Sequence, residues 1–434
     1  MKFYDRKTEM AVLKRNRELS KNSGIFTVIT GRRRIGKTAL VHESEKRGKF
    51  LYLFVSRGSE SLLCEQLTGN AETDLGIKLF NTNRFHDLFE QLMTYGEKNS
   101  FTFAIDEFQD LERINHSVMS SIQELWDKYK STTKVNLIVC GSLYSMMIKI
   151  FEREKEPLFG RAVSKLSIGP FGPSVLKNIL ADYNPDYGPD DLLFLYMVSG
   201  GVPKYIEILM DRNAVRFDDM LDAVCSPDSQ FLTDGKDLLI SEFGKDYGTY
   251  FSILQLIAKG KNTMREMSEA IGKESGSYLD NLEKEYGLVR KNRPLFSKEN
   301  SRDVRWHVSD NYLNFYFRFI SGNISLTELK KYDLLKEKIR SEYTQYSGII
   351  LENYFKEKIA EEQKVTEVGS YWDRRGQNEI DIIALNDIDM TASIFEVKRN
   401  PGKADIGELK KKTASVTGLK DFEFKFGILS LNDL

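Results

Sequence analysis

The residues with the clearest chemical purpose are Gly31, Gly36, Lys37 and Thr38, in the run GRRRIGKT, where the apolar stretch IFTVIT (25–30) gives way to a helical pattern (37–45). Glycines at both ends of such a loop let the backbone curl until several N–H groups face one phosphate, and the helix that follows adds its positive end. This assigns Gly31, Arg32, Arg33, Arg34, Ile35, Gly36, Lys37, Thr38 and Ala39 to ATP binding, with Lys37 reaching the β- and γ-phosphates and Thr38 holding Mg²⁺. Further along, FTFAIDEF ends an apolar run in Asp106 and Glu107. The first acid is placed to hold the Mg²⁺ shell and the second to polarise the attacking water. VNLIVCGS ends in Ser142, a polar strand tip available to the γ-phosphate or the water, with a plain strand cap as the alternative. Arg161, in EPLFGRAV, follows a loop that would carry it to an adjacent nucleotide as an arginine finger; a solvated surface arginine is the alternative.

A second group of such residues lies near the other end. Asp381 starts one strand, and Glu396 and Lys398 stand two apart in the next, so that they share a face while Val397 points the other way. Two acids and a lysine suit a Mg²⁺-dependent phosphodiesterase, the acids holding the metal and the lysine orienting or deprotonating water. Glu352, on the helix YSGIILENYFKEKI, offers a third acid, and Glu379 is a spectator one step outward from Asp381. A structural relic is the competing reading of this cluster. The four histidines, His42, His86, His116 and His307, are scattered and form no metal pair.

The elements that must carry these residues alternate between short apolar strands and helical stretches, which implies an α/β fold with a parallel sheet covered on both faces. The P-loop core is expected over residues 1–168. Helical patterns such as DDLLFLYMVS and PKYIEILM then suggest a lid over 169–240. Over 241–325, three helices separated by Gly260 and Gly272, a hairpin and an aromatic helix (NYLNFYFRFI) give a winged-helix order. A polar helical connector (326–345) leads to a last small α/β domain (346–434), expected as helix, strand, strand, helix, strand. Residues 256–306 carry 11 Lys or Arg against 8 Asp or Glu. Lys291, Arg293 and Lys298 in the wing are phosphate contacts in a DNA-binding reading, but the third helix is net acidic, which favours docking.

With 63 Lys and Arg against 64 Asp and Glu, the 434-residue chain is no polycation built to coat nucleic acid, so any nucleic-acid site must be local. Cys64, Cys140 and Cys225 are far apart and show no CxxC spacing, which argues against a disulfide framework or structural zinc and for a reducing cytoplasm. No apolar run reaches the roughly 20 residues of a membrane span, and MKFYDRKTEM lacks a signal-peptide stretch.

FYDRKTEMAVL (3–13), GRRRIGKT, IDEFQ (105–109), CGS (140–142), PLFGR (157–161) and GGVPKYI (200–206) together resemble the archaeal-type ATPases of the STAND and AAA+ P-loop group. The resemblance implies ATP hydrolysis, a segment from Phe3 to Arg6 near the adenine, and a lid motif at Gly201 and Pro203 that reports nucleotide state to the winged helix. NEIDIIA and FEVK are similar to the second and third motifs of the PD-(D/E)XK nuclease superfamily. On that basis the chain is expected to act on DNA through its winged helix and last domain. The alternative is a nucleotide switch that regulates a protein partner or a second copy of itself in a homo-oligomer, with the nuclease-like domain as a docking surface.

Overall fold

The computed structural model describes the chain except Arg47, residues 244–246, Glu299, Arg302, Arg374 and Arg375, and the side chain of Ser241. It divides into two compact units, one of Asp5–Gly169 and one of Met1–Tyr4 with Pro170–Leu434.

In the first unit, β1 (Ile25–Thr30), β2 (Phe50–Phe54), β3 (Phe101–Asp106), β4 (Val135–Gly141) and β5 (Ser164–Ser167) form one parallel sheet in the order β2-β3-β4-β1-β5. The helices α1 (Lys7–Ser20), α2 (Lys37–Glu45), α3 (Glu60–Leu75), α4 (Phe85–Lys98), α5 (Asp110–Ile114), α6 (Val118–Tyr129) and α7 (Tyr144–Glu152) precede, connect and cover the strands. β3 and β4 are buried at every position, and β1 at all but its last, so these strands read as continuous apolar runs. Helices α4 and α6 pack on each other and bury Phe85, Leu88, Phe89, Leu92, Ile122, Leu125 and Trp126 into the core above Phe26 and Phe103. β4 lies between β1 and β3, so three strand ends that the chain order keeps apart become neighbours at one edge of the sheet.

The second unit opens with helices α8 (Pro173–Tyr183), α9 (Pro189–Ser199), α10 (Pro203–Asp211), α11 (Phe217–Val224) and α12 (Asp234–Phe243). α9 is buried continuously from Asp191 to Ser199 and is apolar all round, as a central core helix must be. Next come α13 (Tyr247–Ala258), α14 (Met264–Ile271), α15 (Gly276–Lys284) and the antiparallel pair β6 (Val289–Asn292) and β7 (Arg305–Val308), the helix-helix-helix-hairpin order expected from the sequence. α16 (Asn311–Phe315) is shorter than the expected aromatic helix, because it passes into a turn of π-helix at Tyr316–Ile320 that buries Tyr316, Phe317, Phe319 and Ile320.

After α17 (Ile324–Glu328) comes α18 (Tyr332–Glu362), a single 31-residue helix. The expected connector and the first helix of the last domain are therefore one continuous element, with Tyr346 and Ser347 buried in its middle. The last sheet has the order β11-β10-β9-β8, built from β8 (Glu367–Trp372), β9 (Glu379–Asn386), β10 (Thr391–Val397) and β11 (Glu423–Leu429), with α19 (Ile406–Ala414) before β11. β8 is a strand that the sequence reading did not separate. It lies at an edge, contains Gly369 and breaks register between Gly369 and Tyr371, so its alternation is weak.

Among the described residues no helix is long and apolar enough to cross a membrane. The three cysteines are free and buried.

Gly200 ends α9 in the left-handed conformation, and Pro203 opens α10. Between them Gly201 has φ +70°, and its carbonyl accepts from Phe171 N–H at 2.8 Å. A Cβ there would sit 2.2 Å from the Phe171 carbonyl oxygen. Gly201→Ala should therefore lower the urea midpoint by the equivalent of about 1–3 kcal/mol, the scale of left-handed backbone strain, with a larger loss if the backbone cannot yield. Equilibrium unfolding followed by circular dichroism checks this.

Candidate active site

Gly31 follows β1 with φ +156°, and a Cβ on it would come within 2.7 Å of the Ile168 carbonyl oxygen, so the loop can leave the strand there only with glycine. The loop then turns over residues 31–38 into α2, whose first residues are Lys37 and Thr38. Lys37 is 6% exposed, and its ammonium donates to the Gly31 and Arg32 carbonyls at 2.8 and 3.0 Å. Two of its three N–H groups are thus spent on orientation, which leaves one for a phosphate oxygen. Burial pushes its pKa down, and the nearby Glu107 and Asp106 carboxylates oppose that shift. Arg33 is exposed at the loop's rim.

At the end of β3, Asp106 accepts from Thr38 Oγ1 at 2.6 Å and from Tyr52 Oη at 2.9 Å, both on Oδ2. Its Oδ1 accepts from the N–H of Glu107 at 2.9 Å. Burial, with Asp106 beside it, pushes the Tyr52 phenol far up, so the tyrosine is a fixed donor. Thr38 and Asp106 form an all-oxygen pair at a helix start, the donor chemistry that a hard cation such as Mg²⁺ takes while keeping several waters.

Glu107 adopts φ +53°, a strained conformation for a non-glycine residue that recurs at functional sites. The turn is held because Phe108 N–H donates to the Cys140 carbonyl on β4 at 2.8 Å. Ser142 Oγ and Gln109 Nε2 both donate to Glu107 Oε2, at 2.6 and 2.5 Å. Among the described residues no hydrogen bond uses Oε1, which is left to accept from a water.

Lys37, Thr38, Asp106, Glu107 and Ser142 are thus brought together as the sequence suggested. Tyr52 and Gln109 were missed. Their signals were a tyrosine inside the apolar strand FLYLF and the glutamine of IDEFQ.

Arg161 is not brought to this loop. It ion-pairs with Asp127 at 2.8 Å and donates to the Pro157 and Phe159 carbonyls, while Val163 N–H pairs with Phe26 at the start of β1. That is the opposite edge of the sheet, roughly 20 Å away along a six-residue strand. Arg6, in contrast, is buried beside the loop and donates to the Gly169 and Ile35 carbonyls at 2.6 and 3.5 Å.

In the other unit, Asp381 on β9, Glu396 on β10 and Lys398 converge. Lys398 Nζ lies 2.8 Å from Glu396 and 3.3 Å from Asp381, and Val397 N–H donates to Asp381 Oδ2 at 2.8 Å. Burial pushes the Asp381 carboxyl up. Glu396 also faces Lys412 of α19 at 3.6 Å. Glu352 pairs with Lys356 one turn along α18, at 3.7 Å. The expected three-acid metal set of Glu352, Asp381 and Glu396 is not assembled. The Lys398 ammonium pairs with both sheet acids, and no group of three or more possible ligands stands close enough together among the described residues. Glu379 is engaged elsewhere, with Arg305 at 2.6 Å.

A sequence family described as an ATPase domain predominantly from Archaea matches residues 3–209, and one described as "Archaea bacterial proteins of unknown function" matches residues 316–412. An uncharacterised protein of Methanocaldococcus jannaschii is 30% identical over 441 residues, covering 98% of this chain and 95% of its own. The chain belongs to the archaeal-type ATPase family. The fold of this ATPase is also that of the Walker-type ATPase PABY2304 of Pyrococcus abyssi, with TM-score 0.54 and 17% identity over 73% of this chain and 96% of that one. It is similar as well to the Aeropyrum pernix ORC2 protein, solved as ADPNP–ADP complexes, with TM-score 0.50 and 16% identity over 76% and 96% of the two chains.

Burial, with Asp381 and Glu379 nearby, pushes the Glu352 carboxyl up to about 7, against the pull of Lys356 and Lys398. The folded ATPase therefore holds a proton that the unfolded chain releases first, so stability carried by this group falls as pH rises from the ordinary carboxylate value of 4.5 towards 7. Glu352→Gln should flatten that part of the Tm-against-pH curve. An unchanged slope would place the proton elsewhere.

Proposed function

We propose that this chain is a Mg²⁺-dependent ATP hydrolase that works as a nucleotide-controlled switch. The observation that carries the reading is the chain of hydrogen bonds from Thr38 through Asp106 to the strained Glu107, closed by Ser142 on the neighbouring strand. Lys37 would neutralise the β- and γ-phosphates, and the N–H groups of residues 31–38 would cradle them. Thr38 and Asp106 would hold Mg²⁺, which when bound offsets charge on the phosphate oxygens. Glu107, its Oε2 fixed by Ser142 and Gln109, would orient the attacking water through Oε1 and take its proton. Arg161 enters this reading only as a residue offered to a second copy of the chain.

The roles separate in binding and turnover. Lys37→Ala should abolish detectable ATP binding by titration calorimetry. Glu107→Gln should bind ATP within a few-fold of wild type and lose about 10²–10⁴-fold in kcat. Equal loss of binding and turnover in Glu107→Gln would count against its role as base.

A second reading concerns the last domain. The convergence of Asp381, Glu396 and Lys398 on adjacent strands favours an ancestral or active phosphodiesterase acting on DNA, similar to PD-(D/E)XK enzymes. The Lys398 bridge between the acids, and the burial of Leu295 of the wing in the core of the last domain, favour a docking body that presents surfaces to protein partners. Cleavage of supercoiled and single-stranded DNA in Mg²⁺, compared between wild type and Lys398→Ala, separates the two. Cutting that vanishes in the variant supports the nuclease, and wild type that hydrolyses ATP while cutting nothing supports the docking body.

A further inference from the structure

The wing loop is anchored at its base, while Arg293, Phe296 and Lys298 stay exposed. Leu295, in the loop after β6, is 6% exposed and belongs to the core of the last domain with Ile380, Ile383 and Ile394. Its N–H donates to the Ser370 carbonyl at 2.9 Å, covering the edge of β8. Between β6, α18 and β8 this docking leaves a cleft of about 560 Å³, within the ~300–1,000 Å³ range of small-molecule pockets.

The charges of this cleft are unbalanced. Arg290, Lys291, Arg293 and Lys356 line it against Glu357 and Glu367. Arg290 has a neutral partner, Asn353 Oδ1, at 3.2 Å. Lys356 reaches its nearest carboxylate, Glu352, only at 3.7 Å, and Lys291 reaches Glu283 at the same distance. Arg293 is exposed and has no hydrogen bond or ion pair among the described residues. A response appears at His307 on β7, whose pKa is pushed down to about 3 by burial and then by Arg290, Lys356 and Arg305. Burial first, and these cations after it, keep the imidazole neutral.

We propose that this cleft binds a phosphate-bearing ligand of mononucleotide size, at a site separate from the phosphate loop. The Arg290 and Arg293 guanidiniums are suited to two phosphate oxygens each, and the Lys356 ammonium supplies a point charge from the opposite wall. Asn353, its oxygen held by Arg290, keeps its NH₂ donors for the ligand. A free nucleotide and the phosphate of a nucleic-acid strand share this chemistry.

The test uses the full chain carrying Lys37→Ala, so that the phosphate loop contributes no nucleotide binding. ADP, inorganic phosphate and a short single-stranded oligodeoxynucleotide are titrated calorimetrically into this protein and into the same protein with Arg293→Glu or Arg290→Ala added. Thermal melting confirms that each variant is folded; Arg293 is exposed and unpaired among the described residues, so Arg293→Glu is the safer of the two. Saturable binding of ADP or phosphate that weakens at least tenfold in both variants supports the site with a free nucleotide or phosphate as its source. Binding of the oligonucleotide alone, weakened likewise, supports it with a nucleic-acid phosphate. No binding of any probe, or binding that both variants leave unchanged, overturns it.

Discussion

The chemistry of the first unit depends on one carboxylate, Asp106, doing three things at once. Its Oδ2 holds a hydroxyl from the first turn of α2 and another from β2, and its Oδ1 holds the backbone N–H of the residue that follows. These contacts are possible only because β1, β4, β3 and β2 lie side by side and parallel, with every C-terminal end at one edge. The position of β4 between β1 and β3 also brings Ser142 level with Glu107 and lets the Cys140 carbonyl pin the turn. The left-handed backbone of Glu107 costs about 1–3 kcal/mol, and the buried hydrogen bonds around it keep that conformation in place.

The second unit is organised by length and continuity. α9 presents apolar surface on all sides, so α8, α10, α11, α16 and α18 can pack around it. At its N-terminal end Asp190 receives both hydrogen bonds of Arg399 Nη2, at 2.9 and 3.0 Å, and the Tyr343 hydroxyl at 2.6 Å. Arg399 follows Lys398 directly, so the residue that bridges Asp381 and Glu396 is tied by its neighbour to one end of α9. The other end of the same helix is the Gly200–Gly201 turn. A buried helix thus spans from the Gly200–Gly201 turn to the acid cluster within one unit.

Much of this was legible in the sequence, and the exceptions have physical causes. The phosphate loop, the strand-end acids and Ser142 announce themselves because a buried parallel strand must be apolar, so any polar residue at its tip stands out. Tyr52 was hidden by the same rule, since its ring suits a strand and only the fold shows its hydroxyl meeting Asp106. Arg161 could not be placed because strand order decides which edge of the sheet a loop reaches. The α18 boundary was misread because a polar stretch looks like a connector, whereas Leu335, Ile339 and Tyr343 bury one narrow stripe of that helix. β8 was missed because a glycine-containing, bulged edge strand lacks the alternation that marks strands.

The hairpin illustrates how packing decides where a motif's charges point. Three basic residues at a wing suggest contact with DNA phosphates, yet the same loop carries Pro294 and Leu295, and burying them against β8 removes more apolar surface from water than exposing them would allow. Once Leu295 enters the core of the last domain, the loop's orientation is fixed and the cations go where the backbone takes them. Arg293 and Lys291 then line a cleft with Lys356 of α18, while Lys298 stays exposed outside it. Lys356 is less hydrated there than at an open surface, and burial pushes its pKa down, so an anion that enters meets donors already partly stripped of water. Electrostatic attraction is stronger in such a cleft than on an exposed wing. The apolar anchor that fixes the base of the wing therefore also fixes the cations of the cleft where an anion can meet them.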